Sequence, residues 1–510
     1  MNVATNLEIS ARYFPKNPAL SFEEKEITYA QFNEDANRVA TALIKLGIKP
    51  GDHVGICSPN SMEWLILYFG ILKMGGVAIT LNAQLSPDEL RLLLNHSKPR
   101  ILYLFDERLN DIENLRGPNG IEKVICPNGD MTFQKLLDMG STTFEAVNRD
   151  RDDTAAVLYT GGTTGVPKGV MTTHLNINTS AHNVAFSERS TEKDRAICFL
   201  PFNHVFGQMH VTNATIISAG CLEILPAFDM DKVLNLLQAG RVTKLFCVPT
   251  VYTRLLGLEN LRQIMANVRY CFSAAAAMAA EIVRQWKESS GLLIHEGYGM
   301  TESASAVTYN HYYRHVIGSI GTTVPGVEVQ IRDISSGEPL PVGSEGEICI
   351  RGNNIMRGYL NNPEATHEAF WHLDPDKKRL WDNWFRSGDV GYEDKEGYVY
   401  IVDRLKDMII TGGENVYSTE VEDAIYAKPE VQECAVIGIP DREWGEKVAA
   451  FIIPKPGKAV QADEMKAFLK SRLAPFKVPK IYEFVTDLPK TAAGKILKRE
   501  IRAKHIEGKK

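Results

Sequence analysis

Residues 29–47 read YAQFNEDANRVATALIKLG, and GDHVGICSP (51–59), SMEWLILYFGILKM (61–74) and VAIT (77–80) follow within a few positions. Apolar residues of the first stretch recur at helical spacing, and Gly47 sits where such a helix stops. The spacing predicts helix, strand, helix, strand, the rhythm of a layered α/β domain. It continues with a helix around Asp88–His96 and a strand at ILYLF (101–105). Further on come AICFLPF (196–202), CLEILP (221–226), KLFCVPT (244–250) and LLIHEGYG (292–299). From Gly318 the texture changes to VEVQIRD (327–333), GEICIRG (346–352) and GYVYIVD (397–403). Short runs punctuated by Gly and Pro predict a β-rich subdomain.

A boundary is expected within Asp403–Met408, dividing the chain into 1–404 and 405–510. The smaller unit carries helix STEVEDAIYAK (418–428), strands ECAVIGI (433–439) and VAAFIIP (448–454), helix ADEMKAFLKSRL (462–473) and a last strand–loop–helix. Its own apolar stripes predict an α+β domain that folds semi-independently.

Composition narrows the function classes. Lys and Arg total 57 against 63 Asp and Glu, a net charge of -6, which gives no electrostatic reason to expect a nucleic-acid partner. The eight cysteines form no CxxC pair, so a zinc or redox motif is not expected, and reduced core thiols of a cytoplasmic protein are. The N-terminus lacks the basic-then-apolar profile of a signal peptide. The apolar run WLILYFGILKMGGVAIT (64–80) is broken by Lys73 and Gly75-Gly76. It is too short to span a bilayer comfortably and reads as buried helix, turn and strand, so no integral membrane segment is expected. The basic tail from 495 to 510 reads as a solvated helix end.

The strongest local signal is Tyr159–Gly169, YTGGTTGVPKG, after the strand-like AAVLY (155–159). Gly161, Gly162, Gly165 and Gly169 let a backbone approach a ligand closely. Thr160, Thr163 and Thr164 supply hydroxyls and Lys168 a positive charge, a donor set suited to a polyphosphate. It differs from the common GxxxxGK[ST] loop: Pro167 precedes Lys168, and Gly169 stands where Ser or Thr would bind magnesium.

With that loop the sequence resembles the adenylate-forming superfamily: acyl-CoA synthetases, peptide-synthetase adenylation domains and firefly luciferase. Five further segments follow in the family's order: LPFNHVFG (200–207), GYGMTES (297–303), FRSGD (385–389), DRLKDMIITGGENVYSTEVE (403–422) and PKTAAGKILKR (489–499). The resemblance spans essentially the whole chain. It implies a large N-terminal domain, a small mobile C-terminal domain and a site between them. The implied reaction consumes ATP with Mg²⁺, forms an acyl-adenylate from a carboxylic acid, and passes the acyl group to coenzyme A.

Each segment then has an implied role. Tyr298, between Gly297 and Gly299, offers a flat face for adenine. Met300 and Thr301 follow it, Thr301 able to donate to the α-phosphate, and Glu302 is a hard oxygen ligand for Mg²⁺, with Thr164 beside it. Ser273, Ala274 and Ala275 map to the wall between adenine and acyl group, where relatives usually carry more glycine. Asp389 and Arg404 match ribose-contacting residues. Lys495 matches the catalytic lysine between the acid's carboxylate and the α-phosphate, where its charge offsets repulsion between two anions. His204, Val205 and Phe206 border the acyl pocket with Ala275 and Gly299. Lys406 matches the hinge, and Gly412, Gly413 and Trp444 the pantetheine path. Because Gly297 and Gly299 put no bulk on the pocket floor, a medium or long fatty acid, or an aromatic or alicyclic acid, is expected rather than acetate alone. A carrier-protein-loading enzyme and a non-catalytic nucleotide sensor are the alternatives, and the resemblance leaves room for a homodimer.

Overall fold

The structure, a computed structural model, describes every residue except 118–119, 161–166, 277, 372–373, 375–376, 378, 413, 443, 491–495 and 508–510. It is a mixed α/β protein with a large N-terminal and a small C-terminal domain. The opening segments fold as their spacing predicts. Helix Tyr29–Lys45 begins in a Thr28/Gln31 capping box, and Gly47 beyond its end has φ +86°. Strand His53–Cys57, helix Met62–Lys73 and strand Val77–Leu81 follow.

Two large sheets build the N-terminal domain. One runs, in spatial order, Gly358–Tyr359, Lys168–Thr173, Thr154–Thr160, Val77–Leu81, His53–Cys57, Ile101–Leu104, Lys123–Ile125. Its five strands from Thr154–Thr160 to Lys123–Ile125 pair in parallel. The other large sheet includes Ile294–Tyr298, Tyr270–Ser273, Lys244–Cys247, Arg195–Cys198 and Cys221–Ile224, all parallel. Helix Met62–Lys73 touches strands of both sheets, and every residue from Trp64 to Lys73 is buried. A helix apolar on all sides belongs in such an interior. Lys73, fully buried, survives there because its ammonium lies 2.5 Å from Glu8. No helix among the described residues is long and apolar enough to cross a membrane. All eight cysteines are buried, and none is in a disulfide.

The β-rich region is an antiparallel sheet of Val327–Arg332, Gly346–Gly352, Trp384–Glu393 and Phe370–Trp371, with Val399–Arg404 paired to Trp384–Glu393. Beyond it, Ile409–Thr411 already belongs to the sheet of the small domain. There, alternate residues of Val431–Asp441 and Gly445–Pro454 feed two separate cores. Val436, Val448, Ala450 and Ile452 pack with Val421, Ile425, Met465 and Leu469 of two helices. Ile437, Ile439 and Phe451 pack with Ile501 of the last helix.

The domains meet at two carboxylates. Asp403 accepts hydrogen bonds from the Ser418 backbone N–H and, at 3.1 Å, from its hydroxyl, which caps helix Ser418–Tyr426. Glu296, on the strand leading to Tyr298, is buried with Oε2 unpartnered among the described residues. Burial pushes its carboxyl up to about 8, and the Asp423 carboxylate of the small domain adds to the rise. The folded protein therefore binds a proton that the unfolded chain has released above about pH 4.5, and stability falls as pH rises toward 8. Glu296→Gln removes that charge. Thermal melts should show the variant gaining on wild type by about 1–3 kcal/mol between pH 5.5 and 8.5, the scale of a buried unsatisfied group. A pH-independent gap would exclude ionisation of Glu296 as the cause.

Candidate active site

The glycine-rich segment sits between two antiparallel strands. Thr160, the last residue of Thr154–Thr160, is paired with Lys168, the first of Lys168–Thr173. A hairpin, not the strand-to-helix turn of the common phosphate loop, brings Thr160 and Lys168 side by side. Gly161, Gly162, Thr163, Thr164 and Gly165 lie outside the described residues. The Lys168 ammonium lies 4.9 Å from the centroid of the Tyr359 ring. Tyr359 comes from a two-residue strand paired to Met171 and Val170, and its hydroxyl donates to Glu302 at 3.0 Å. Lys168, Glu302 and Tyr359, far apart in sequence, thus form one group.

Glu302 lies in a single 3-10 turn, Thr301–Ser303, with Thr301 buried beside it. Burial pushes the Glu302 carboxyl above its usual range, although its own backbone N–H, Tyr359, Arg404 and Lys168 pull the other way. A buried acid of this kind gains from a nearby cation, and a hard carboxylate oxygen suits Mg²⁺. The residues present fit that ion.

Tyr298 ends strand Ile294–Tyr298, and its hydroxyl donates to Asp389 at 2.6 Å. Burial, reinforced by Asp389, pushes the phenol well above its usual range, so it stays a donor. The other Asp389 oxygen is 3.2 Å from Nε of Arg404, its register partner on the neighbouring strand. Gly388 takes φ +71° within strand Trp384–Glu393, just before Asp389, where the pairing register shifts. Buried Glu347 anchors that irregularity, accepting from the Gly388 N–H at 3.2 Å and from Arg386 Nε at 3.1 Å. Each carboxylate oxygen of Asp389 keeps a further lone pair for hydroxyls of a ligand.

Next to Tyr298 opens a cavity of about 360 Å³, its mouth included. His204, Val205, Phe206, Ala274, Ala275, Gly297 and Gly299 line it, as do His210, Phe272, Ser305 and Tyr309, which the sequence reading had not singled out. His204 Nδ1 accepts the Phe206 N–H at 3.2 Å, so its ring is tied to the start of the following helix. That helix, Phe206–Asn213, is wound as a π-helix, a form frequent at functional sites. The two glycines serve the protein as well as the pocket. A Cβ at 299 would come 1.3 Å from the Ser305 carbonyl oxygen, and one at 297 would come 2.7 Å from the Phe272 ring. Ser273 ends its strand with Oγ buried, and Ala275 has φ +72°, a conformation that favours the glycine expected there. Met300 leads from Gly299 into the Thr301 turn, its N–H donating to Ser303 Oγ at 3.0 Å.

On the small-domain side, Lys406 is exposed in the turn directly after Arg404. Gly412 has φ +61°, and its N–H donates to the Trp444 carbonyl at 2.8 Å. A Cβ at 412 would press on the Trp444 ring at 2.9 Å, and Trp444 is 44% exposed. Lys495 and Gly413 lie outside the described residues.

The profile of the AMP-binding enzyme family matches residues 7–360, and that of the AMP-binding enzyme C-terminal domain matches 420–495. The chain belongs to the AMP-binding enzyme family. Feruloyl-CoA synthase of an Amycolatopsis species is 36% identical, over 96% of each chain. The long-chain-fatty-acid–CoA ligase of Bacillus subtilis is 34% identical over 98% of this chain and 93% of its own. The ATP-bound structure of MatB from Rhodopseudomonas palustris superposes with a TM-score of 0.90 at 34% identity, covering all of both chains. The chain is accordingly an AMP-forming acid–thiol ligase.

Removing the Tyr359 hydroxyl tests the Glu302 group. Tyr359→Phe should raise KM for ATP about 3- to 10-fold, the worth of one hydrogen bond to a carboxylate, and leave KM for the acid unchanged. A change confined to the acid would detach Tyr359 from the nucleotide.

Proposed function

We propose that the chain converts a compact carboxylic acid, ring-bearing or of medium chain length, to its CoA thioester through an acyl-adenylate. The observation that carries this reading is the cavity of about 360 Å³ opening beside Tyr298. Rings of Phe206, Phe272 and Tyr309 line it, and Phe246 packs against Phe272. They suit a ring or short chain better than a long one, although relatives act on both feruloyl and long-chain acyl groups.

The reaction needs no general base, because a carboxylic acid with a reference pKa near 4 is already a nucleophile at pH 7. What it needs is positioning and charge neutralisation. In this reading Tyr298 holds adenine, Asp389 and Arg404 hold the ribose, and Thr160, Thr163, Thr164 and Lys168 hold the phosphates. Mg²⁺, held by Glu302 and Thr164, would neutralise phosphate charge when bound. Lys495 stabilises the developing charge between carboxylate and α-phosphate. Lys406 is the hinge through which the small domain exchanges Lys495 for the Gly412–Trp444 side, where coenzyme A enters.

Half-reactions separate these roles. Lys495→Ala should abolish acid-dependent pyrophosphate exchange, yet leave thioester formation from supplied acyl-AMP within about 10-fold of wild type, the usual worth of a group acting in one step only. Lys406→Pro should do the reverse. Equal loss of both half-reactions in Lys495→Ala would contradict its assignment. Size selection is a separate test. AMP release from a panel of acids should depend on coenzyme A and favour benzoic, cinnamic, cyclohexane and C6–C8 acids over a C16 acid. A preference for C16 would refute the compact pocket, and AMP release without coenzyme A but with a carrier protein would favour the carrier-loading alternative.

A further inference from the structure

A buried polar cluster closes the inner end of the cavity, and no step of the adenylation chemistry uses it. His210, 3% exposed, places Nε2 3.0 Å from Glu188 Oε1 and 2.8 Å from the Tyr309 hydroxyl. The Tyr309 hydroxyl also reaches Glu188 Oε1 at 2.8 Å, and Lys244 donates to Glu188 Oε2 at 2.9 Å. Burial would raise the Glu188 carboxyl, but Lys244 and His210 outweigh it and hold the group below its usual range. Behind them, Asp194 is paired with Arg269 at 2.5 Å. Glu188 is paired with Lys244 and Asp194 with Arg269. With Nε2 turned to Glu188 and Tyr309, His210 Nδ1 faces Ser305 Oγ at 3.2 Å.

Ser305 is held there at a conformational cost. It has φ +96° and Ala304 before it φ +47°, in a region that side chains other than glycine rarely adopt. Strain of this kind costs on the order of 1–3 kcal/mol per residue and collects at functional sites. The surroundings fix it: Ser303 Oγ donates to the Ser305 carbonyl at 3.1 Å, and that carbonyl approaches so closely that residue 299 has to be glycine. Whichever of the two donates, Ser305 Oγ keeps at least one acceptor lone pair in a cavity lined also by Val205, Phe206, Phe272, His204 and Thr308.

We propose that Ser305, oriented by His210 and the Glu188–Tyr309–Lys244 cluster, is a specificity-determining residue that accepts a hydrogen bond from a donor, such as a ring or chain hydroxyl, at the end of the acid remote from its carboxylate. The inference rests on the cavity being the acyl site. A buried acceptor that a substrate must satisfy rejects analogues lacking the donor far more strongly than an apolar wall rejects a change in size.

The test compares 3-phenylpropanoic acid with its 2-, 3- and 4-hydroxy and 2-, 3- and 4-methyl derivatives, read by coenzyme-A-dependent AMP release. Wild type should prefer the hydroxy acid over the methyl acid of the same position by about 10- to 100-fold in kcat/KM at one position at least, the scale of one buried unsatisfied acceptor. Ser305→Gly is the variant of choice, because glycine accepts φ +96° without strain and a thermal melt should confirm that it folds. It should bring that ratio to within about 3-fold of unity, with the larger loss falling on the hydroxy acid, which a merely structural effect would not do. Wild type preferring the methyl acid at every position, or an unaltered ratio in Ser305→Gly, would overturn the proposal. Failure of every acid, the unsubstituted one included, would overturn the assignment of the cavity as acyl site and the proposal with it.

Discussion

The Asp389 carboxylate is shared by three segments from different parts of the chain. Tyr298 reaches it from the end of a strand in the nine-stranded sheet, and Arg404 from the strand alongside its own. A buried carboxylate stripped of one such partner is left largely uncompensated, which is destabilising by about 3–5 kcal/mol. The residue before Arg404 faces the other way: Asp403 caps the helix at Ser418 in the small domain. One strand end therefore holds the Arg404–Asp389 pair and carries the attachment of the small domain. In the proposed mechanism, motion about the turn that contains Lys406 would leave that pair undisturbed.

The nine residues from Gly297 to Ser305 compress two kinds of recognition into one turn. Tyr298 bonds Asp389, Glu302 joins the group with Lys168 and Tyr359, and Ser305 lines the cavity. Close approach is what makes this possible, since the Ser305 carbonyl occupies the place where residue 299 would carry a side chain. Substitutions that add a side chain at 297 or 299 would disturb both the cavity and the Tyr298–Asp389 pair beside it. Those made from the π-helix side, at Val205 or Phe206, can act on the acyl group alone.

Much of this was legible in the sequence for a physical reason. Helix and strand spacing is a local property, and the alternating domain, the β-rich region and the small α+β domain all follow from it. Glycines with hydroxyl and lysine donors likewise single out Thr160–Lys168 as the expected phosphate segment within a dozen residues. What could not be read was partnership across the chain. Tyr359 meets Glu302 at a sequence separation of 57, Glu347 supports Gly388 at 41, and Tyr309 meets Glu188 at 121. Each looks unremarkable beside its own neighbours: Tyr359 lies on a two-residue strand, and His210 in a stretch whose spacing announces no π-helix. The reading of Gly297 and Gly299 as open space for substrate was incomplete because their tight neighbours, Phe272 and Ser305, are set by the fold.

The division of labour between the domains follows from charge. Adenylation brings a carboxylate against a polyphosphate, so the energetic problem is the approach of two anions and not the making of a nucleophile. The cations that the large domain places near Glu302 already have tasks in the proposed arrangement: Lys168, beside Tyr359, holds the phosphates, and Arg404 is paired with Asp389. A further positive charge is then needed while the acid attacks. It becomes an obstruction once a thiol has to enter along the same line. A lysine on a domain that can leave meets both demands, and a lysine fixed in the large domain would meet the first alone. The role proposed for Lys495 rests on that asymmetry, and so does the value of the hinge proposed at Lys406, just after Arg404.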